Sequence, residues 1–211
     1  MSPTLHRALA PVPCDDTDMV GKFVRRSRRV AYENPWITVW HDEVDRPNGS
    51  PGIYGVVHFA NVAAGVVALD AADRIVLVGQ HRYSLDEGSW EIPEGGVPDG
   101  ETVIDGARRE LREETGVEAA SWQELARVDL SNSVTDERAV LFLATDLTHG
   151  DAEPEPTEAL HVRWVPFNEA LAMTMDGRIT DVMSVVAIQR VALARMAAAA
   201  AEVAEGGSPP S

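Results

Sequence analysis

At 211 residues, with 45% apolar and 25% charged side chains, the chain is long enough to bury a substantial core, and one catalytic domain with trimmings fits that length better than two full domains. A formal net charge of −16 excludes a protein whose main business is gripping nucleic-acid backbones, because that affinity comes from neutralising phosphates with Lys and Arg. No uninterrupted apolar run approaches the roughly 20 residues that cross a bilayer, and Met1 to Val20 lacks the basic start and compact apolar stretch of a secretory signal. The expectation is therefore a cytoplasmic protein with a small-molecule partner, no nucleic acid and no membrane. Cys14 is the only cysteine, which rules out an intrachain disulfide and a thiolate metal site.

In chain order, residues 1–22 read as a disordered leader, 23–59 as an N-terminal β extension, 60–204 as the main domain and 205–211 as a disordered tail. The run Arg25, Arg26, Arg28, Arg29 reads as a solvated strand or an interface edge, given the global charge. Val30 to Tyr32, Trp36 to Val44 and Ile53 to Phe59 alternate β-favouring residues, with a Pro/Gly turn from Arg46 to Gly52, and predict a small antiparallel sheet. Val62 to Leu69 and Arg74 to Gln80 predict a strand pair about the turn Asp70 to Asp73, and Trp90 to Pro93 a short extended segment.

Thr102 to Thr115 is the clearest helix: Val103, Ala107 and Leu111 share one face, Gly116 is placed to end it, and Asp99 or Glu101 can serve its positive end. Strands are predicted at Gln123 to Leu130, Ala139 to Asp146 and Ala159 to Val165, with an acidic, Pro-broken loop from Thr148 to Glu158. Two closing helices, Phe167 to Met175 and Asp181 to Glu202, complete the pattern. Strands, a helix, further strands and final helices imply an α/β class in which a mixed sheet is sandwiched between helices.

The chemistry is carried by the first helix. Glu110, Glu113 and Glu114 stand at i, i+3 and i+4, so three carboxylates project from one face and destabilise a bare helix. An acidic solvated face paired with Arg108, Arg109 and Arg112 is one reading of this pattern. The other is a hard divalent cation with oxygen ligands.

The surrounding stretch Gly95 to Val117, GGVPDGETVIDGARRELREETGV, resembles the Nudix box G-x5-E-x7-R-E-U-x-E-E-x-G-U, where U is a bulky aliphatic. Gly95, Glu101, Arg109, Glu110, Leu111, Glu113, Glu114, Gly116 and Val117 fill every specified position, a match that average residue usage gives by chance in fewer than roughly one in ten million starts. The resemblance implies an α/β/α Nudix sandwich. It also implies that Glu110 and Glu114 bind Mg²⁺, or Mn²⁺ in its place, together with the backbone carbonyl of Glu94, and that Glu113 is a further ligand or a base. Arg109 can pair with Glu101 and hold the loop against the helix, leaving the other acids to the metal. Within the family the base lies in the box or on a later loop. Glu158 matches the late-loop position and is the first choice, Glu113 the second, and Glu153 and Glu155 belong to the same loop.

Beyond the box, residues 30 to 190 resemble the branch of the family that cleaves ADP-ribose and nucleoside-diphosphate sugars. Gln80-His-Arg82-Tyr83 and Ser89-Trp-Glu-Ile-Pro-Glu-Gly95 are similar to that branch's approach to the box, and the sheet around Asn34-Pro-Trp36 to its dimerisation region. Arg82 is a candidate phosphate ligand, since a planar guanidinium suits a diphosphate, and Glu91 can fix Arg82 or contact metal or substrate. Trp36 and Trp90 can stack on a base or simply fill the core. Thr135, Asp136 and Glu137 can add substrate or metal contacts or form a polar turn. One departure stands out: the resemblance leads one to expect a proline some sixteen residues beyond the box in ADP-ribose specialists, and Ser131-Asn-Ser133 stands there instead, which leaves nucleoside-diphosphate sugars open.

The expected activity is hydrolysis of the diphosphate of a nucleoside diphosphate linked to another moiety, giving a nucleoside monophosphate and a phosphorylated product, by a homodimer. The alternatives are a hydrolase of modified nucleoside triphosphates and a non-catalytic nucleotide-sensing module.

Overall fold

The computed structural model describes residues 21–150 and 160–206. Cys14 and the loop acids Glu153, Glu155 and Glu158 therefore lie outside the described residues.

Three strands, β1 (Val24–Glu33), β2 (Ile37–Asp45) and β3 (Pro51–Phe59), form a separate antiparallel meander. β1 is longer than the Val30 to Tyr32 predicted from apolar alternation, because its arginines are strand residues: Arg26 bonds Asp45 at 2.7 Å, and Arg28 makes a two-pronged pair with Asp42 while its guanidinium lies 3.7 Å over the Trp40 ring. Trp36 belongs not to a strand but to the β1–β2 turn, where the Asn34 side chain accepts the backbone N–H groups of Trp36 and Ile37, each at 2.9 Å.

β4 (Val62–Ala68) and β5 (Arg74–Arg82) correct the sequence reading. The turn at Asp70 to Asp73 is present, but only the single bridge Leu69↔Ile75 joins the two strands before they part into different sheets. Both are long runs of fully buried residues, and such strands need ladder partners on both edges. β4 finds them in β7 (Glu94–Val97) and, in parallel, in β9 (Arg138–His149); β5 finds them in β6 (Glu87–Glu91) and β10 (His161–Pro166). The sheets that result have strand orders β7-β4-β9-β8 and β10-β5-β6.

The first helix, α1 (Val103–Thr115), starts one residue later than predicted, because the side chain of Thr102 caps it by accepting from Asp105 N–H. Gly116, in the left-handed region at φ 68°, ends it and turns the chain directly into β8 (Val117–Asp129), which therefore begins six residues before the predicted Gln123. Two helices, α2 (Phe167–Asp176) and α3 (Val182–Gly206), close the chain. α3 runs two residues into the segment read from sequence as a disordered tail.

Period-two alternation on β9 shows the layering. Val140 and Phe142 face α1 with Ala107 and Leu111, whereas Ala139 and Leu141 face the α2–α3 side with Phe167, Met183 and Ile188. A mixed sheet between helices is thus the architecture, as the α/β/α pattern implies. The stretch Val182–Val203 of α3 is long and apolar enough, by length and composition, to cross a membrane. Its polar residues interrupt the run, and four of them are tied to the domain: Ser184 to Ile92 N–H, Gln189 to Thr174, Arg190 to the Leu125 carbonyl and Arg195 to Asp73.

Candidate active site

The site begins where the chain changes sheets. β6 ends at Glu91, and β7 starts at Glu94 in the other sheet; between them Pro93 offers its carbonyl to Val66 N–H at 2.9 Å, and Ile92 N–H bonds the buried Ser184 hydroxyl at 2.8 Å. This crossing brings Glu91 and Glu94 to Arg82, the last residue of β5. Glu91 is only 2% exposed, a burial that a carboxylate tolerates only when paired. It accepts both Arg82 Nε at 2.9 Å and Arg82 Nη2, and Gln80 Nε2 at 3.1 Å, while Arg82 Nη2 also reaches Glu94 Oε1 at 3.1 Å. Arg82, 37% exposed, keeps an open side.

Glu94 is tied to the box helix by its backbone, since its N–H donates to Glu114 Oε2 at 3.1 Å. Its own Oε2 is shut away from solvent with no hydrogen-bond partner. Burial, and then the neighbouring carboxylates of Asp181 and Glu91, push the Glu94 carboxyl well above the usual range, although Arg82 opposes them. At Gly95 the backbone runs against Glu110 so closely that a Cβ would fall within the Glu110 carboxylate. This close approach gives the box glycine its physical reason.

Arg109 holds the loop to the helix as the sequence led one to expect, with Nε and Nη2 on Glu101 at 3.2 and 3.0 Å and Nη2 on the Gly96 carbonyl at 3.0 Å. The structure differs in what Arg109 leaves free. Its Nη1 also takes Glu110 at 2.7 Å and Glu113 at 3.1 Å, because three carboxylates on one helical face gather the nearest cation. Glu101 first, and then Glu110 and Glu113, hold its guanidinium above even the usual arginine range. Glu101 is thereby committed to Arg109, and the acid inside the first turn of α1 is Asp105.

Glu137, at the entry to β9, is half-buried; burial, and then Asp181, raise its carboxyl. Asp181 also helps raise Arg82 and Glu94, so its charge bears on three residues that the sequence singled out, and it was itself missed. The signal was there. An Asp three residues before Ser184 at a helix start is an N-cap pattern, and Asp181 Oδ2 accepts Ser184 N–H at 2.7 Å. Trp36 is not brought to this group and is not a core residue either: it is 69% exposed on the N-terminal sheet. Trp90 does pack on the core, and a Cβ at Gly79 would press into its ring.

The N-terminal sheet docks onto the 131–136 turn. Tyr54 donates its hydroxyl to the Ser133 carbonyl at 2.5 Å, Val57 N–H bonds the Val134 carbonyl at 2.9 Å, and His58 pairs with Asp136 at 2.7 Å while stacked on Trp40. Burial works against the Asp136 carboxylate, yet His58 and the Phe59 N–H hold it below its ordinary value. Ser131 adopts a positive φ of 40°, which proline's ring forbids at that residue. Beside this junction a cleft of about 450 Å³ runs between His58, Phe59, Asn61, Asp99, Glu101 and Arg138. A second cleft, of about 360 Å³, lies on the outer side of α1 beside Arg108, Arg112 and Trp122.

Among the described residues, no group of three or more His, Cys, Asp or Glu side chains is gathered as a ready-made metal cluster. The donor set nevertheless fits a hard cation. Its members are carboxylates, one with a buried and partnerless oxygen at Glu94, and the glycine cradle brings backbone against Glu110.

Comparison with known proteins gives this geometry a family. Residues 60–184 match the NUDIX domain model and residues 25–57 the model of the nucleoside diphosphate sugar hydrolase N-terminal domain. The chain belongs to the Nudix hydrolase family, whose members generally need a divalent metal. It is 34% identical over 154 residues to an ADP-ribose pyrophosphatase of Mycobacterium tuberculosis, covering 71% of this chain and 73% of that protein. It is 32% identical over 159 residues to a CMP-5′-(N-acetyl-N-hydroxy-3-aminopropyl)phosphonate hydrolase of Streptomyces rubellomurinus, covering 74% and 76% respectively. A crystal structure of an ADP compounds hydrolase superimposes with a TM-score of 0.73 at 20% identity, over 81% of this chain and 92% of that one, a likeness of fold.

Proposed function

We propose that this protein hydrolyses the diphosphate of a nucleoside diphosphate linked to another moiety, a nucleotide sugar or ADP-ribose, releasing a nucleoside monophosphate and a phosphorylated product. The observation that carries this reading is the knot of Arg82, Glu91 and Glu94 fastened through Glu94 N–H to Glu114 of the box helix. In this reading Arg82 is the guanidinium that would bind the diphosphate, beside the carboxylates that would bind the metal. The match of residues 25–57 and the names of the relatives support the substrate class. The phosphonate relative acts on a CMP derivative, so the nucleoside need not be adenosine.

Glu110, Glu114 and the Glu94 carbonyl would hold Mg²⁺, with Mn²⁺ as the alternative. Bound there, the ion would neutralise the diphosphate and lower the pKa of a water. Arg82 orients the diphosphate through its open side, Glu91 keeps Arg82 in place and Glu137 borders the substrate. The 450 Å³ cleft beside Glu101 has room for one moiety of the substrate. A panel of nucleotide sugars, ADP-ribose and modified nucleoside triphosphates, assayed with Mg²⁺ for released phosphomonoester, tests the reading. Turnover of the triphosphates alone would overturn it, and no turnover of any member would favour the nucleotide-sensing module.

The base is a carboxylate that takes a proton from the attacking water, and Glu158 is the first choice with Glu113 the second. Glu158→Gln is expected to cut kcat by about a hundredfold while sparing metal affinity. If Glu113→Gln is crippled and Glu158→Gln is not, the base is on the helix.

Residues 23–59 form the dimerisation extension and 60–204 the Nudix domain in this reading. β1 is exposed along its whole length and, with its surroundings, carries Phe23, Val30, Tyr32 and Trp36 at the surface. Such an edge needs cover, and a two-fold partner supplies it. Trp36 would then meet the partner's substrate, not its own. Sedimentation at micromolar concentration should give a dimer, whereas a fully active monomer would sink both the dimer and the shared site.

A further inference from the structure

We propose that the cleft on the outer side of α1 is a second binding site, for a mononucleotide, in which Trp122 stacks on the base, Glu118 takes the sugar hydroxyls and Arg112, helped by Arg108, holds the phosphate. A nucleoside monophosphate is also released in the proposed reaction, and the cleft binds it whether or not that reaction occurs.

The cleft, of about 360 Å³, is lined by Asp105, Arg108 and Arg112 from α1 and by Glu118 and Trp122 from β8. Ligand pockets run from roughly 300 to 1,000 Å³, so this one suits a single nucleotide and not a dinucleotide. Its aromatic wall is fixed. The Trp122 indole donates Nε1–H to the Ala119 carbonyl at 3.0 Å, and its ring meets Phe142 edge to face with centroids 6.2 Å apart. The cation over that wall is loosely laid by comparison: the Arg108 guanidinium stands 5.7 Å from the Trp122 centroid, whereas Arg28 lies 3.7 Å over Trp40 in the N-terminal sheet. Arg108 is half exposed, and its flexible side chain can lift to admit a flat ring and then cover it from the other side.

The charges fit the rest of a nucleotide. Arg108 and Arg112 are one turn apart on the same helical face, where like charges repel. Asp105 compensates Arg108 alone: its Oδ1 accepts Arg108 Nη1–H at 3.0 Å, and its Oδ2 accepts the Thr102 hydroxyl at 2.6 Å. Among the described residues neither Arg112 nor Glu118 has a hydrogen-bond or ion-pair partner, although they carry opposite charges and line the same cleft. The last turn of α1 is a favourable place for the Arg112 charge, but that does not account for a cation and an anion left unpaired beside an aromatic face. A guanidinium fork fits a phosphate, and a carboxylate accepts the hydroxyls of a ribose. Arg109 also borders the cleft but is committed to Glu101, Glu110 and Glu113, so the outer site does not depend on it.

Two-dimensional NMR of the full chain without metal tests this through the Trp122 indole N–H, assigned by its absence in Trp122→Phe. The probes are AMP and CMP, with inorganic phosphate and adenosine titrated separately. The Trp122 resonance is expected to shift saturably with at least one nucleotide, and phosphate or adenosine alone should bind at least about tenfold more weakly. Arg112→Gln, an exposed substitution that should leave the melting temperature unchanged, is expected to weaken the nucleotide at least about tenfold. A Trp122 resonance that stays still while others move places the nucleotide elsewhere and overturns the proposal, leaving the proposed hydrolysis untouched. Unchanged affinity in Arg112→Gln overturns it as well, and so does inorganic phosphate binding as tightly as the nucleotide, which would make the cleft a plain anion site.

Discussion

Glu114→Gln is expected to lower kcat by at least about a hundredfold with the fold intact, because it deletes a charge proposed to bind the metal, whose effect would be greatest in the transition state. Glu114 is buried in the last turn of α1 and accepts the Glu94 N–H at 3.1 Å. Glutamine has the same shape, and its amide oxygen can still accept that hydrogen. The structural bond therefore survives while the charge does not. Circular dichroism beside steady-state turnover separates the two roles: near-normal turnover would take Glu114 out of the site, and an unfolded variant would make it structural.

Gly95→Ala should be nearly as damaging by a different route. Gly95 lies in the β4–β7 ladder opposite Ala64 and is not in the left-handed region, so alanine meets no backbone penalty there. The new methyl would instead occupy the place of the Glu110 carboxylate. That carboxylate is the far end of a flexible side chain, so the fold yields cheaply, with a melting temperature within a few degrees of normal for a chain of this size. The carboxylate proposed to bind the metal does not return to its place, and turnover is expected to fall by about a hundredfold. Differential scanning fluorimetry paired with turnover checks this. An active variant would mean that Glu110 works from another position.

The box helix was legible in the sequence because its signals are local: an apolar stripe at Val103, Ala107 and Leu111, a stop at Gly116 and nine specified residues in register. Strand pairing was not. β4 and β5 flank a genuine turn and look like a hairpin, yet their partners β9 and β10 lie far along the chain, and nothing in two runs of buried aliphatics names a distant partner. The same limit hid part of the site. Arg82, Glu91 and Glu94 were visible as residue types, but their meeting depends on β6 and β7 belonging to different sheets. Asp181 came from a helix start about 90 residues beyond Glu91, where only its capping role is locally marked. Arg109 was legible as the partner of Glu101 but not as the partner of Glu110 and Glu113 as well, because competition among acceptors for one guanidinium is settled by geometry.

The passage from Glu91 to Glu94 also bears on which changes this lineage can accumulate. Glu91 belongs to one hydrogen-bonded ladder and Glu94 to another, so no ladder fixes the one against the other. Their spacing is set by two intervening residues of covalent chain. A slipped register elsewhere in a sheet can be repaired by re-pairing, but here there is nothing to re-pair: one inserted or deleted residue at Ile92 or Pro93 turns the following side chains to the opposite face and carries Glu94 away from Arg82. Glu91, Ile92 and Pro93 are all buried, so the segment has no surface position at which to drift freely, and its length is a count that cannot change without loss of the activity.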